Sequence, residues 1–348
     1  MLQARFAHTV TTLLDGRVLA VGGMVKRDDH SQLGRETNTC ELYDPATRSW
    51  QRCNAMTVAR ASFSYATTLL PDGHVFVAGG KRAPELWNPA TGTWTRLRDR
   101  IPGLLMQGQA CVDTCVALVG GAYTQRDRKG DFDEPIQGIE LWDATTGQYR
   151  HGDLLTTARS RPSVTPLPRG LLLVAGGDGA RASATSEVRS PLGGDGTGAI
   201  PLAVPRLLHG AVRLHDGRVM VAGGVKGPHA PGPSEIHETE TVELFDPDDL
   251  TWKPAAPLAC RRSAMDMLVL PDGRVIVLLG YAYGFDRGAL VPAVEIWDPR
   301  TEHWSPGPEP SQYRHNAACA LLHDGTVLVT GGRTYEGEPI ANDELLTP

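Results

Sequence analysis

A chain of 348 residues with 34 Lys and Arg against 40 Asp and Glu carries a formal net charge of −6. That balance speaks against a nucleic-acid protein, because phosphate binding needs a basic surface. No apolar run approaches the roughly 20 residues of a membrane-crossing helix. The six cysteines have no metal-binding spacing, and no signal peptide precedes the first apolar strand, so the expected location is cytoplasmic.

The first apolar stretch, TTLLDGRVLAVGG at 11–23, sets a pattern that the chain then repeats. TTLLPDGHVFVAGG (67–80), ACVDTCVALVGG (110–121), TPLPRGLLLVAGG (165–177), VRLHDGRVMVAGG (212–224), LVLPDGRVIVLLG (268–280) and ALLHDGTVLVTGG (320–332) follow. A repeat of this length decides the architecture, since such units bury their apolar faces only by stacking. In each unit two apolar strands flank an Asp-Gly or related tight turn, a strong hairpin signal. A third strand follows (CELYDP, PELWNP, IELWDA, VELFDP, VEIWDP), ending where Asp or Asn starts another turn. A Trp then opens the fourth strand. All seven Trp serve the repeat: Trp50, Trp94, Trp252 and Trp304 in fourth strands, Trp87, Trp142 and Trp297 in third strands. Aromatics of this size fill the wedge between neighbouring sheets.

The diglycine, the later Tyr and the Trp after it resemble the Kelch repeat along the whole chain. The resemblance implies an all-β, seven-bladed Kelch-type β-propeller. Its blades are four-stranded and antiparallel around a central channel, in a single domain spanning 1–348. It points to a free-standing bacterial Kelch-like protein, monomeric and needing no cofactor. Two units depart from the pattern. The fourth reads SEVRSPLGGDGTGAIP (186–201) without a Trp, so its outer strand should be weak. The seventh stops at DELLTP (343–348), so either the last blade is three-stranded or the native chain is longer.

Turns between strands one and two, and three and four, are short and share one end of the sheets. The long, charged connections between strands two and three leave from the other end: 24–38, 122–138, 225–240, 281–293 and 333–342. Variable loops on a rigid scaffold are where binding resides, so that end is the expected working face. Where the innermost strand starts at that end, six units carry an arginine: Arg5, Arg60, Arg159, Arg206, Arg262 and Arg314. Planar guanidinium donors suit carboxylate or phosphate. The expected partner is an acidic peptide or protein, or an anionic small molecule, rather than nucleic acid or membrane.

His8 and His209 follow their arginine by three residues, whereas His315 is out of register. Gln107 and Gln109 are read in place of the arginine in the third unit, and Asp266 is an off-pattern acid in an inner strand. With the arginines, these complete the candidate ligand-binding set. The rival reading is a small-molecule isomerase, epimerase, lyase or cyclase with its pocket at the channel mouth. Asp266, His209 and His315 would be its acid–base groups. Kelch-related copper radical oxidases need a Tyr–Cys pair and further domains that have no matching signature here. His30, His229 and His237 lie among Asp28, Asp29, Glu235, Glu238 and Glu240, but the spacing is not diagnostic and no metal is expected. Cys40 and Cys53 face each other if the hairpin register of 43 and 50 continues. They are read as buried thiols that an oxidising compartment would close as a disulfide. Cys111 and Cys115 flank a tight turn.

Overall fold

The computed structural model describes residues 1–27, 34–61, 65–80, 82–98, 105–127, 130–178, 183–191, 193–194, 196–226, 237–281, 294–334 and 336–348. Its strands form the seven antiparallel sheets of an all-β propeller, each in sequence order. Contacts group the chain into two compact units, Met1–Gly103 with Pro308–Pro348, and Leu104–Gly307.

The first unit holds three sheets. Blade 1 runs Thr9–Thr12, Val18–Val21, Cys40–Asp44 and Ser49–Cys53; blade 2 runs Tyr65–Leu69, Val75–Gly79, Arg82–Asn88 and Thr93–Arg96. Blade 7 has the expected three strands, Ala318–Leu321, Val327–Thr330 and Asp343–Leu346. The chain's first residues tie blades 7 and 1 together: the Met1 amine donates to Asp343 Oδ1 at 3.0 Å, and the Arg5 amide to the Ile340 carbonyl.

The second unit holds four sheets. Blade 3 is Gly108–Val112, Cys115–Val119, Ile139–Asp143 and Gln148–His151, and blade 4 is Ser163–Pro166, Leu172–Ala175, Thr185–Arg189 and Ile200–Pro201. Blade 5 is Gly210–Arg213, Val219–Ala222, Val242–Asp246 and Thr251–Ala255, and blade 6 is Asp266–Val269, Val275–Leu278, Val294–Asp298 and His303–Pro306. The outer strand of blade 4 is the weakest, with two residues, as the missing Trp foretold.

Second strands are fully buried and, Thr330 apart, apolar. The outer-strand Trp residues join blades. Trp50 stacks on Tyr43 with centroids 5.1 Å apart and donates its indole N–H to Asp343 of blade 7. Trp252 does the same with Phe245 and with Ser186 of blade 4. In both cases the neighbour has a missing or short fourth strand, so the indole reaches its third strand instead.

Glycine at the second diglycine position is required for two reasons. Gly224 has φ +96°, and a Cβ there would lie 2.7 Å from the Leu207 carbonyl oxygen and 2.9 Å from His209 Cβ. Gly92, in an outer turn, has φ +66° and open space around it. Gly224→Ala should therefore lower stability by roughly 2–4 kcal/mol, through strain plus overpacking. Gly92→Ala should cost about 1 kcal/mol from backbone conformation alone. Urea unfolding midpoints of the two variants check this, and equal losses would remove the close approach as the reason for the glycine.

Candidate functional site

The six arginines are placed by one recurrent geometry, and it changes their role. Each is 0–2% exposed. Each pairs with a glutamate on the third strand of the blade it opens: Arg5–Glu41 2.7 Å, Arg60–Glu85 3.3 Å, Arg159–Glu187 2.7 Å, Arg206–Glu243 2.6 Å, Arg262–Glu295 2.7 Å, and Arg314–Glu344. The other carboxylate oxygen accepts a backbone N–H three residues before the arginine, as in Leu2, Thr57, Thr156, Ala203, Ala259 and Ser311.

A second guanidinium nitrogen donates to the carbonyl of the first diglycine position, at Gly22, Gly79, Gly176, Gly223, Leu279 or Gly331. The arginine's own carbonyl accepts the N–H of the second glycine in the preceding blade, seen at Gly23, Gly121, Gly177, Gly224 and Gly332. Both glycines therefore serve the clamp. Both terminal nitrogens of every one of these guanidinium groups are buried and bonded within the fold, which turns the arginine ring, expected to hold an anion, inward rather than open to one. The Nε atoms of Arg5, Arg206 and Arg314 are buried without a partner among the described residues.

The two in-register histidines are scaffold for a similar reason. His8 Nε2 lies 2.8 Å from Thr330 Oγ1, and His209 Nε2 lies 2.8 Å from Ser163 Oγ. The hydroxyls in turn donate to the Ala318 and Ala175 carbonyls. Each imidazole must then donate from Nε2. Burial and the nearby arginine lower both pKa values to about 3, so both rings are neutral near pH 7. Ser163 and His209 have the distance of a nucleophile and its base, but the serine proton goes to a carbonyl. The same arrangement recurs at His8 and Thr330, which argues for packing.

Two register corrections follow. Leu105 bridges Ala122 as Phe6 bridges Met24, and His315 bridges Arg333. By sequence register Leu104, itself outside the described residues, replaces the arginine in the third unit, and Gln107 occupies the slot of His8 and His209. Gln107 Oε1 is buried without a hydrogen-bond partner. Gln109 lies inside the strand, paired with Leu118. Asp266 opens its strand opposite Leu278 and is half-buried.

A feature invisible in the sequence lies two residues beyond the arginine slot in six blades; the matching position of blade 2, residue 62, lies outside the described residues. Ala7, Met106, Arg161, Leu208, Ala264 and Asn316 all have φ between 49° and 56°. Their backbones connect successive blades: the Ala7 N–H donates to the Asn316 carbonyl, Arg161 to Met106 and Ala264 to Leu208, at 2.7–2.8 Å. Left-handed non-glycine residues store strain, and such residues cluster at ligand sites. Stacking requires the backbone here but no particular side chain, since Ala, Met, Arg, Leu and Asn all occur.

In the first unit this position converges with the off-pattern residues. Arg333 lies with its guanidinium carbon 5.1 Å from the centroid of the Phe6 ring, and among the described residues no carboxylate pairs with it. Its backbone exchanges two hydrogen bonds with His315, at 2.9 Å each. His315 meets Tyr313 edge-on at 4.6 Å, and the tyrosine hydroxyl lies 3.4 Å from Nδ1. Burial, then the Arg333 charge, holds the His315 pKa below its ordinary value. Asn316 Nδ2 is buried without an acceptor. An exposed Tyr and an arginine stacked on an aromatic face make a donor-rich patch beside the 333–342 connection.

The connections themselves fold as hairpins in alternate blades: Met24–Val25 with Arg35–Glu36, Ala122–Asp127 with Gly130–Pro135, and Val225–Lys226 with His237–Glu238. Asp28, Asp29, His30, His229, Glu235, residues 282–293 and the His237 side chain lie outside the described residues. Among the described residues no cluster of three metal-ligating side chains occurs; Glu238 is buried and Glu240 lies 3.8 Å from Arg261. A cavity of about 300 Å³ sits on the outer strands of blades 5 and 6, lined by His303, Trp304 and Glu295. That carboxylate already belongs to the Arg262 clamp.

A Kelch motif matches residues 5–57. Kelch-like protein 36 of Rattus norvegicus is 21% identical over 322 residues, 91% of this chain and 43% of that protein. Kelch-like protein 23 of Mus musculus is 24% identical over 294 residues, 80% of this chain and 47% of the relative. The chain thus spans less than half the length of these curated relatives. A fungal alcohol oxidase of the AA5 family, solved in complex with copper, superposes with a TM-score of 0.76. It covers 99% of this chain and 74% of its own at 16% identity, a likeness of fold alone.

Proposed function

We propose that this chain, a Kelch-repeat β-propeller, is a binding scaffold for a partner carrying acidic groups, held where the connections between second and third strands emerge. A bacterial, cytoplasmic and monomeric setting belongs to the same reading. The supporting observation is Arg333, a cation stacked on Phe6 with no carboxylate partner among the described residues. The six clamp arginines are matched, so Arg333 is the charge that an incoming carboxylate meets. The exposed Tyr313 hydroxyl offers a further donor beside it. Catalysis is the weaker reading, since His8 and His209 form identical hydroxyl contacts and both stay neutral.

The test is binding of a fluorescent glutamate-rich peptide by anisotropy. Arg333→Ala should weaken it at least about tenfold, the equivalent of one charge-assisted hydrogen bond. Arg218→Ala, in a turn at the opposite end of its sheet and paired with Asp216, should leave it unchanged. The same peptide should raise the His315 pKa, followed by NMR, by offsetting the Arg333 charge. Equal binding by wild type and Arg333→Ala would remove this site.

A further inference from the structure

Blade 1 carries a pair of thiols that none of the clamps uses. Cys40 and Cys53 are direct cross-strand partners on Cys40–Asp44 and Ser49–Cys53, and both are free. Directly opposed residues of an antiparallel pair have Cα atoms about 4.5–5.5 Å apart, inside the disulfide range for either kind of pair. The two thiols differ in a useful way. Cys40 is 1% exposed, whereas Cys53 is half-buried between the exposed Arg52 and Asn54. Burial, then its neighbour, raises the Cys40 thiol well above its ordinary value; the contact with Cys40 pulls Cys53 below its own. One thiol is thus reachable and easier to ionise, and the other waits behind it.

The place of the pair gives its closure a consequence. The strand that ends at Cys53 holds a neighbour at each end. Trp50 donates to Asp343 on blade 7, and Asn54 exchanges hydrogen bonds with blade 2, Nδ2 to the Gly92 carbonyl and its own carbonyl from Trp94, both at 2.9 Å. Blade 7 has three strands among the described residues, and Trp50 meets the third of them. The outer strand of blade 1 is therefore the one whose release would loosen three blades together.

We propose that Cys40 and Cys53 are a thiol–disulfide modification site that closes on exposure to a low-molecular-weight disulfide and staples the outer strand of blade 1. Cys53 thiolate attacks one sulfur of the small disulfide and expels one small thiolate, leaving a mixed disulfide. Cys40, deprotonated, then attacks Cys53 Sγ and expels the second. The two protein thiols lose two protons and two electrons, and the small disulfide is reduced to two thiols.

Oxidised glutathione added to the folded full-length chain tests this. The expected product is lighter by two hydrogens, alkylates at four of its six cysteines after denaturation, and gives a digest in which the Cys40 and Cys53 peptides are joined. Dithiothreitol should reverse it. Tm should rise by roughly 5 °C on closure. Cys40→Ser should stop at a glutathione adduct on Cys53, and Cys53→Ser should abolish the reaction. Six alkylated cysteines in the oxidised wild type, a link between any other pair, or no adduct on Cys40→Ser would each overturn the proposal.

Discussion

On acidification from pH 6.5 to 5 the folded state is expected to lose about 3 kcal/mol, with His8 and His209 as the source. Both rings have folded pKa values of about 3, below the 6.5 of the unfolded chain. Between those limits the unfolded state binds protons that the folded state refuses. The stability these residues contribute is therefore complete above pH 6.5 and drains as pH falls, by about 1.4 kcal/mol per unit for each histidine. The cause is desolvation first, then the positive charge of Arg5 beside His8 and of Arg206 beside His209. Blade 3 already carries the substitution that tests this, because Gln107 occupies the same slot. The double variant His8→Gln/His209→Gln keeps a donor toward Thr330 and Ser163 but cannot ionise. Its urea midpoint should fall much less over this interval than that of the wild type, the remainder coming from groups such as His315, whose pKa is also lowered. Parallel slopes for the two proteins would remove the histidines as the acid-sensitive element.

That experiment also separates what the sequence could reveal from what it could not. Strand number, the short fourth strand of blade 4, the three-stranded blade 7 and the Cys40–Cys53 register are all local consequences of spacing. Period and turn chemistry determine them, so they could be read directly. The fate of the arginines depends on a partner some 30 residues away. The signal was present, since every third strand carries Glu (41, 85, 140, 187, 243, 295, 344). Six arginines against seven glutamates is a pairing with one place empty. Blade 3, where Leu104 takes the arginine slot, is that place.

The left-handed positions are a different case. Ala7, Met106, Arg161, Leu208, Ala264 and Asn316 share a backbone conformation across five residue types. Only Asn316 belongs to a type that enters that region readily. The blade-to-blade hydrogen bonds impose the conformation, and no propensity announces it. Arg333 was hidden for a related reason: it lies just after a diglycine, where the sequence shows only the start of a variable connection. Its significance comes from Phe6, brought beside it when the first and last blades meet.

The clamp predicts the sharpest contrast between two chemically identical substitutions. Glu243→Ala should destabilise the protein by about 3–5 kcal/mol, because it leaves Arg206 buried and uncompensated. It also strips the acceptor from the Ala203 and Val204 amides. Burial already lowers the Arg206 pKa even with the carboxylate present, so losing that counter-charge falls on a group with no water to replace it. Glu140→Ala, at the equivalent position of blade 3, should cost less than about 1 kcal/mol. Glu140 is 21% exposed and pairs at 2.5 Å with His151, which is 88% exposed; solvent takes over that role when the carboxylate goes. Replacing both partners, Arg206→Met/Glu243→Leu, should cost less than Glu243→Ala alone, since no charge is then left unpaired. Urea titrations of the three variants decide the matter. Equal losses for Glu140→Ala and Glu243→Ala would mean that the glutamates act as ordinary strand residues. The arginines would then have to be reconsidered as donors for a ligand.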